Sequence, residues 1–450
     1  LSRRFLQVAL TLAVCIMGGC TELPPLVPTM PAAGMSEPTS TLEPPVPLQI
    51  AYIKYGDIWI WDYTKNIRCQ LTCGEAAREV SISSNGLAIA FRTEAGELKV
   101  VRRDNQDQLE TNLCNKVKTT TLVNLEYLNS LNMYGEFGAF IRSFKFSNGT
   151  NDVYFNVDVT GVAGGVDIFK INLDTLLPVR LVAPGQGGNF HLAPSAQWIV
   201  VTIPNHLILQ DTNGVNALEL VGYPPQSGFG AHGGPEIVWH GNLSEFYVVT
   251  PRYNNNDDPF GISDLSRFSF ENGWTQEQMG ELLALPHSET HIAPNGLRVA
   301  NLVDYGDLVD LHIVERNNTS DTVYVSYPSN RIGFVTWAID GMSFVYWLDE
   351  SGQRSFYIGI IRNSNGSVTY EVPHMLRTGY PIFIHQGGRT PFEWVLTTII
   401  PSTDSFLDHA SFLYVGSDST GLHLIIHNIR AATELIIDTI DQCNFDVPDN

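Results

Sequence analysis

Ser81-Ile82-Ser83-Ser84-Asn85-Gly86-Leu87-Ala88-Ile89-Ala90-Phe91 reads as a short strand, a tight Asn-Gly turn and a second strand. The pattern returns at His291-Ile292-Ala293-Pro294-Asn295-Gly296-Leu297-Arg298-Val299-Ala300. Asn-Gly suits such a turn because both residues tolerate the left-handed backbone that a two-strand reversal needs. His191-Leu192-Ala193-Pro194-Ser195-Ala196 leads into Trp198-Ile199-Val200-Val201 in the same way, and Trp337-Ala338-Ile339-Asp340-Gly341 into Phe344-Val345-Tyr346-Trp347. The apolar residue ahead of the turn falls at Ile82, Phe146, Leu192, Trp239, Ile292, Trp337 and Ile384. Most intervals are about 45 to 53 residues, the length of one four-stranded antiparallel unit. The first interval is longer because residues 104–141 carry an insertion.

Working outward, each unit adds a third strand. Asp57-Ile58-Trp59-Ile60-Trp61-Asp62 matches Asp167-Ile168-Phe169-Lys170-Ile171-Asn172, and His206–Asp211 and Leu311–Val314 occupy the same place. A fourth strand follows, as in Arg68–Thr72. These units resemble TolB-type, WD-like propeller repeats, whose signature is Trp-Ser-Pro-Asp-Gly, a strand, then Asp-Ile-Tyr-Val. The resemblance covers residues 49–440, and no unit retains the full signature. It implies an all-β fold, a single β-propeller of four-stranded blades. The physics agrees: a blade apolar on both faces must be covered on both, and ranking blades around an axis does this while protecting the edges. Residues 49–73 supply three strands with none before them. Candidate strands at 394–400, 411–416 and 422–429 precede a spare one at 433–440. Closing the ring by adding that C-terminal strand to the N-terminal triple gives eight blades, with seven as the alternative count.

The chain opens differently. Arg3 and Arg4 precede an apolar run from Phe5 to Met17, and Gly18-Gly19-Cys20 closes it. A basic start, a short apolar run and a small-residue cut site make a secretory leader. The run is too short for a membrane span, which needs about 20 residues. The ending Met17-Gly18-Gly19-Cys20 resembles a bacterial lipobox, with Met17 where Leu is usual, and implies lipidation of Cys20. Residues 21–47 are rich in Pro, Thr, Ser and Glu, too poor in apolar side chains to fold, and read as a spacer. The expected organisation is a signal peptide over 1–19, Cys20 and its spacer over 20–48, the propeller over 49–443 and a tail over 444–450.

With 26 Lys and Arg against 47 Asp and Glu, the formal charge is −21. That acidity disfavours nucleic acid and anionic lipid surfaces as partners. Only 16% of residues are charged and 44% are hydrophobic, which fits a large core. Cys69, Cys73, Cys114 and Cys443 are disulfide candidates in an oxidising compartment. Cys69 and Cys73 have Cys-x-x-x-Cys spacing without a second pair, which does not make a zinc site.

Direct tests for chemistry return little. The chain has no Gly-x-Ser-x-Gly elbow, no His-Glu-x-x-His and no phosphate-cradling glycine loop opening a helix. It also lacks the Ser-x-Asp-x-Gly-x-x-Trp boxes of sialidase-type propellers. The best local constellation is His287-Ser288-Glu289-Thr290-His291. On a strand, His287, Glu289 and His291 project to one side and could offer three ligands to a divalent metal. Glu79 and Glu236 hold related positions and His191 aligns with His291, so polar lining or sheet-to-sheet hydrogen bonding is the competing reading. Asn254–Asp258 would suit calcium but is also ordinary loop composition. Gly228–Gly234 reads as a loop, and the 104–141 insertion is the place for a specialised contact.

Two functions are therefore carried forward. The first is a non-catalytic, monomeric cell-envelope lipoprotein that presents a propeller face to a protein, peptide or glycan, touches the membrane through its lipid anchor alone and needs no cofactor. The second is an envelope hydrolase or lyase acting at the central channel through His287, Glu289 and His291, with or without a divalent metal.

Overall fold

In the computed structural model, residues 49–440 are described except 64, 104–116, 132–137, 160–166, 184–185, 204, 224–234, 241–243, 253–260, 272, 285–288, 316–320, 329–330, 339–340, 351–352, 365–366, 371–373, 376–391, 396–410, 419–420 and 429–432. Cys20 with the leader and spacer, Cys114, Cys443, His287, Ile384, Asn254–Asp258 and Gly228–Gly234 lie outside the described residues. Leu1–Glu43 and Pro44–Asn450 separate as two units, and every described residue belongs to the second.

The body is all-β. Among the described residues there are eight antiparallel sheets, taken in chain order as first (49–70, with Phe392–Val395), second (77–123), third (139–180), fourth (189–222), fifth (237–284), sixth (289–328), seventh (332–375) and eighth (411–440). The first six have four strands each; the seventh has five and the eighth three. The apolar residue expected to close the first strand is the last residue of that strand six times: Ala77–Ile82, Ala139–Phe146, Asn189–Leu192, Ile237–Trp239, Glu289–Ile292 and Ile332–Trp337.

Face-to-face packing makes each second strand apolar on both sides. Ala88–Thr93 is buried throughout. Its Ile89 and Phe91 pack with the first sheet, and its Ala88 and Ala90 with the third. Strand alternation thus sends neighbouring residues to different interfaces. Comparable apolar clusters join the third and fourth, fourth and fifth, fifth and sixth, and sixth and seventh sheets. Phe91 is fully buried, and hiding a side chain of that size contributes about 1.5–3 kcal/mol. This succession of four-stranded sheets is consistent with a propeller.

The turns divide between two rims, because adjacent strands run antiparallel. Turns joining first to second and third to fourth strands lie on one, the turn rim. Turns joining second to third strands, and the connections between sheets, lie on the other. On the turn rim the turns of successive sheets touch: the Gly149 N–H donates to Ser84 Oγ at 3.1 Å, and Asn148 Nδ2 to the Pro194 carbonyl at 3.4 Å. Gly296 has φ +64°, and a Cβ there would lie 2.1 Å from the Tyr247 ring. Both its conformation and its clearance require glycine.

Three expectations change. The strand Thr433–Ile440 does not complete the N-terminal triple: it pairs with Gly421–Asn428 in the eighth sheet, while Phe392–Val395 pairs with Gln49–Lys54. A hairpin across the short link 429–432 costs less loop-closure entropy than pairing with a strand at the far end of the chain. The 104–141 insertion contains regular structure, for Thr119–Val123 is the fourth strand of the second sheet and a helix follows over Leu125–Leu131. The helix is capped by Asn124 Oδ1, which accepts the Tyr127 N–H at 2.8 Å, and buries Leu128 completely. Two turns are too few for a helical period to be read from sequence. Finally, Cys73 is disulfide-bonded, whereas Cys69 is not. Cys69 is fully buried among Leu71, Ile60 and Val80, where it packs as a small apolar side chain.

Candidate functional site: an imidazole between two carboxylates

The first strands of successive sheets approach one another, Ala77–Ile82 meeting Ala139–Phe146 and Glu289–Ile292 meeting Ile332–Trp337. An edge strand leaves half its backbone groups without a ladder partner. Here neighbouring sheets supply the partners. Arg92 of the second sheet donates to the Ile141 carbonyl of the third. Asn156 Nδ2 of the third donates to the Gly188 carbonyl, just ahead of the fourth, at 3.2 Å. Trp239 Nε1 of the fifth donates to the His191 carbonyl of the fourth at 3.3 Å. The Ile292 N–H of the sixth donates to Glu236 Oε2, just ahead of the fifth, at 3.3 Å. Trp337 Nε1 of the seventh reaches the His291 carbonyl of the sixth at 2.9 Å.

The expected cluster sits in this belt. Glu289 and His291, two apart on Glu289–Ile292, share a side as the strand period requires. His291 Nε2 lies 3.6 Å from Glu289 Oε2, and its Nδ1 lies 3.8 Å from Glu236 Oε2 across the sheet boundary. Both separations exceed a hydrogen bond, so each is a charge contact only when the imidazole carries a proton. Thr290 points the other way, its Oγ1 donating to Asn301 Oδ1 at 3.4 Å. The Glu236 carboxyl titrates above its ordinary range because surrounding protein desolvates it, with His291 and the Ile292 N–H opposing the shift. Yet 39% of its side-chain surface is open. Glu289 is similarly open at 40%, whereas His291 is mostly covered at 13%.

Elsewhere the same positions serve structure. Glu79 pairs with Arg92 at 2.9 Å and so holds the guanidinium that ties second to third sheet. Asn156 Oδ1 accepts from the N–H and hydroxyl of Ser143, both at 2.8 Å, which fixes the amide that reaches Gly188. The structure therefore joins Glu289 and His291 with Glu236, and does not bring Glu79 or His191 into that group. Among the described residues no set of three or more His, Cys, Asp or Glu is placed to hold a metal ion. His287, the third expected ligand, is outside them. As it stands, the arrangement can hold a proton or a cationic group between two carboxylates.

Sequence reading identified the strand and overlooked a second polar cluster in the fifth sheet. Glu245 Oε1 accepts from the Tyr247 hydroxyl at 2.6 Å and contacts His240 Nδ1 at 3.1 Å, and Oε2 meets Arg267 at 2.6 Å. Burial opposes ionisation, but these bonds outweigh it and hold the carboxyl below its ordinary range. Glu245 and Tyr247 lie two apart on one strand, a signal that could have been read, whereas Arg267 comes from the next strand.

No family model matches the chain, and no curated protein does. Solved structures are similar at low identity. An oligogalacturonate lyase in complex with manganese aligns with a TM-score of 0.46 at 11% identity, over 68% of this chain and 83% of its own. A eukaryotic initiation factor gives 0.48 at 12%, over 88% and 85%. The Dos1 propeller gives 0.41 at 11%, over 67% and 73%. At that level of similarity none of them assigns an activity here.

Proposed function

We propose that the chain is a non-catalytic, lipid-anchored protein of the bacterial cell envelope, held through Cys20 and its spacer, whose eight-bladed propeller is a binding platform for a protein, peptide or glycan. The observation that carries this reading is the belt of sheet-to-sheet hydrogen bonds on the inner strands. Polar groups at the positions that would line a channel hold neighbouring sheets together, so they build a stiff frame. The connections between sheets leave that frame on the connection rim, and the helix Leu125–Leu131 lies in one of them. Loops on a rigid scaffold are where binding residues concentrate. Ring closure, with the eighth sheet beside the first and seventh, belongs to the same proposal.

Two measurements test it. Cys20→Ser should move the protein from the membrane to the soluble fraction, and unchanged membrane association would remove the anchor. A photo-reactive residue in place of Tyr305, which is 52% exposed on the connection rim, should give a discrete adduct in intact cells. The same probe at Leu297 on the turn rim should not. The competing reading, a hydrolase or lyase working through His287, Glu289 and His291, requires a different result. Stoichiometric metal in the purified protein, lost in His291→Ala, or turnover in a hydrolase and lyase panel, would replace the platform with an enzyme.

A further inference from the structure

We propose that Asn148 is a modification site, the asparagine that the native fold leaves open to deamidation through the backbone nitrogen of Gly149. The sequence holds six Asn-Gly pairs, and four of them, beginning at Asn85, Asn148, Asn213 and Asn295, lie wholly within the described residues. Glycine has no Cβ to obstruct the reaction. Its nitrogen attacks the asparagine Cγ, a cyclic succinimide forms, and the side-chain nitrogen leaves as ammonia with the proton that the glycine nitrogen gives up. Water then opens the ring at either carbonyl. The product is aspartate or, with the main chain rerouted through the side-chain carboxyl, isoaspartate. One water is consumed for each ammonia released, and no oxidant or cofactor takes part.

Ring closure needs the glycine N–H released from its hydrogen bond and the carboxamide free to turn. At three of the four pairs both groups are held. The Gly86 N–H donates to the Ser83 carbonyl at 2.8 Å, and Asn85 Oδ1 accepts from the Ser83 hydroxyl at 2.8 Å and the Leu87 N–H at 3.0 Å. The Gly296 N–H donates to the Ala293 carbonyl at 2.8 Å, and Asn295 Oδ1 accepts the Leu297 N–H at 3.0 Å. The Gly214 N–H donates to the Asp211 carbonyl at 3.0 Å, and Asn213 Oδ1 accepts from Lys170 Nζ at 3.1 Å. In each case the glycine N–H closes a backbone turn of its own sheet.

The third-sheet turn is built differently. Its Gly149 N–H donates to a side chain of the second sheet, the Ser84 hydroxyl, at 3.1 Å. The Asn148 carboxamide is held only by its long 3.4 Å bond to the Pro194 carbonyl, and among the described residues nothing donates to its Oδ1. Asn148 and Gly149 are both exposed, and a Cβ at Gly149 would meet no described atom within 4 Å. The cyclic intermediate therefore has room and meets solvent. The product also changes the contact: a carboxylate accepts hydrogen bonds and donates none, so residue 148 loses its bond to Pro194. Deamidation thus releases the third-sheet turn from the fourth sheet and adds a negative charge to the turn rim.

Peptide mapping by mass spectrometry tests the site on the full chain held in neutral buffer, since each event replaces an amide by an acid. Asn148 should convert about fivefold or more faster than Asn85, Asn213 and Asn295, the rate equivalent of one net hydrogen bond that must break first. The same chain unfolded in urea should convert all four at similar rates. Ser84→Ala, which frees the Gly149 N–H, should speed Asn148 further by about two- to fivefold and leave Asn213 and Asn295 as they were. Conversion at Asn148 no faster than at the other three would overturn the proposal. So would the same ranking in the unfolded chain, which would assign the selectivity to neighbours in sequence. The wild-type comparison of folded with unfolded chain decides even if Ser84→Ala does not fold.

Discussion

Gly296→Ala tests the idea that each turn is shaped by the sheet before it. Gly296 sits at φ +64° in the Asn-Gly turn of the sixth sheet, and a Cβ would lie 2.1, 2.2 and 2.5 Å from three ring atoms of Tyr247 in the fifth. The ring cannot withdraw easily. Tyr247 is 1% exposed and its hydroxyl is bonded to Glu245 at 2.6 Å, which Arg267 holds in turn. A left-handed backbone costs an L-residue about 1–2 kcal/mol, and overpacking a filled core adds about 1–3 kcal/mol. The lower entropy of the unfolded alanine chain returns about 0.5–1 kcal/mol. The expected net loss is about 2–4 kcal/mol, read as a fall in the urea midpoint at unchanged slope. Tyr247→Leu in the same background should recover the steric part, so the two changes should be non-additive by about 1 kcal/mol or more. The mirror experiment is natural: Ala196 already occupies the equivalent turn position in the fourth sheet at φ +58°. Ala196→Gly should stabilise by about 0.5–1 kcal/mol, the left-handed penalty less the entropy of glycine. Gly296→Ala within about 0.5 kcal/mol of wild type, or full additivity with Tyr247→Leu, would refute the reasoning.

Glutamates with opposite shifts should give opposite pH signatures. Glu245 has a folded pKa below its unfolded one, so its stabilisation is present above the unfolded value and is lost as pH falls through the folded value. Glu245→Gln should therefore be less stable than wild type at pH 7, with the gap closing in acid. Glu236 has a raised folded pKa, so its ionisation opposes folding above that value. Glu236→Gln should match wild type below about pH 4, near the unfolded carboxylate value, and equal or exceed it at pH 7; urea melts across pH read both. Trp337→Phe removes the bond to the His291 carbonyl and should cost about 1 kcal/mol, with faster exchange at the amides of Glu289–Ile292. Alkylation followed by peptide mapping should label Cys73 only after reduction and Cys69 only after unfolding.

Much of the fold was legible because its cause is local. Six anchors from Ile82 to Trp337 mark strand ends, since an apolar residue before the turn is a short-range pattern that the second to seventh sheets repeat. The strand holding Glu289 and His291 was legible for the same reason, as a period of two needs no tertiary knowledge. Glu236 as the second carboxylate beside His291 was not, because 55 positions separate them and only the stacking of the fifth sheet on the sixth brings them within 3.8 Å. The helix Leu125–Leu131 and the buried state of Cys69 were hidden likewise, one too short to show a period and the other distinguished from Cys73 by burial alone. The pairing at the chain ends went further against expectation: Thr433–Ile440 and Phe392–Val395 are both plausible strands, and alternation does not say which of them joins Gln49–Lys54. By itself the sequence determined that the body is a succession of small antiparallel sheets, because strand alternation and turn chemistry act over a few residues. Only the tertiary structure decided which sheets meet and which polar groups tie them, because those depend on the free energy of surfaces brought together from hundreds of residues apart.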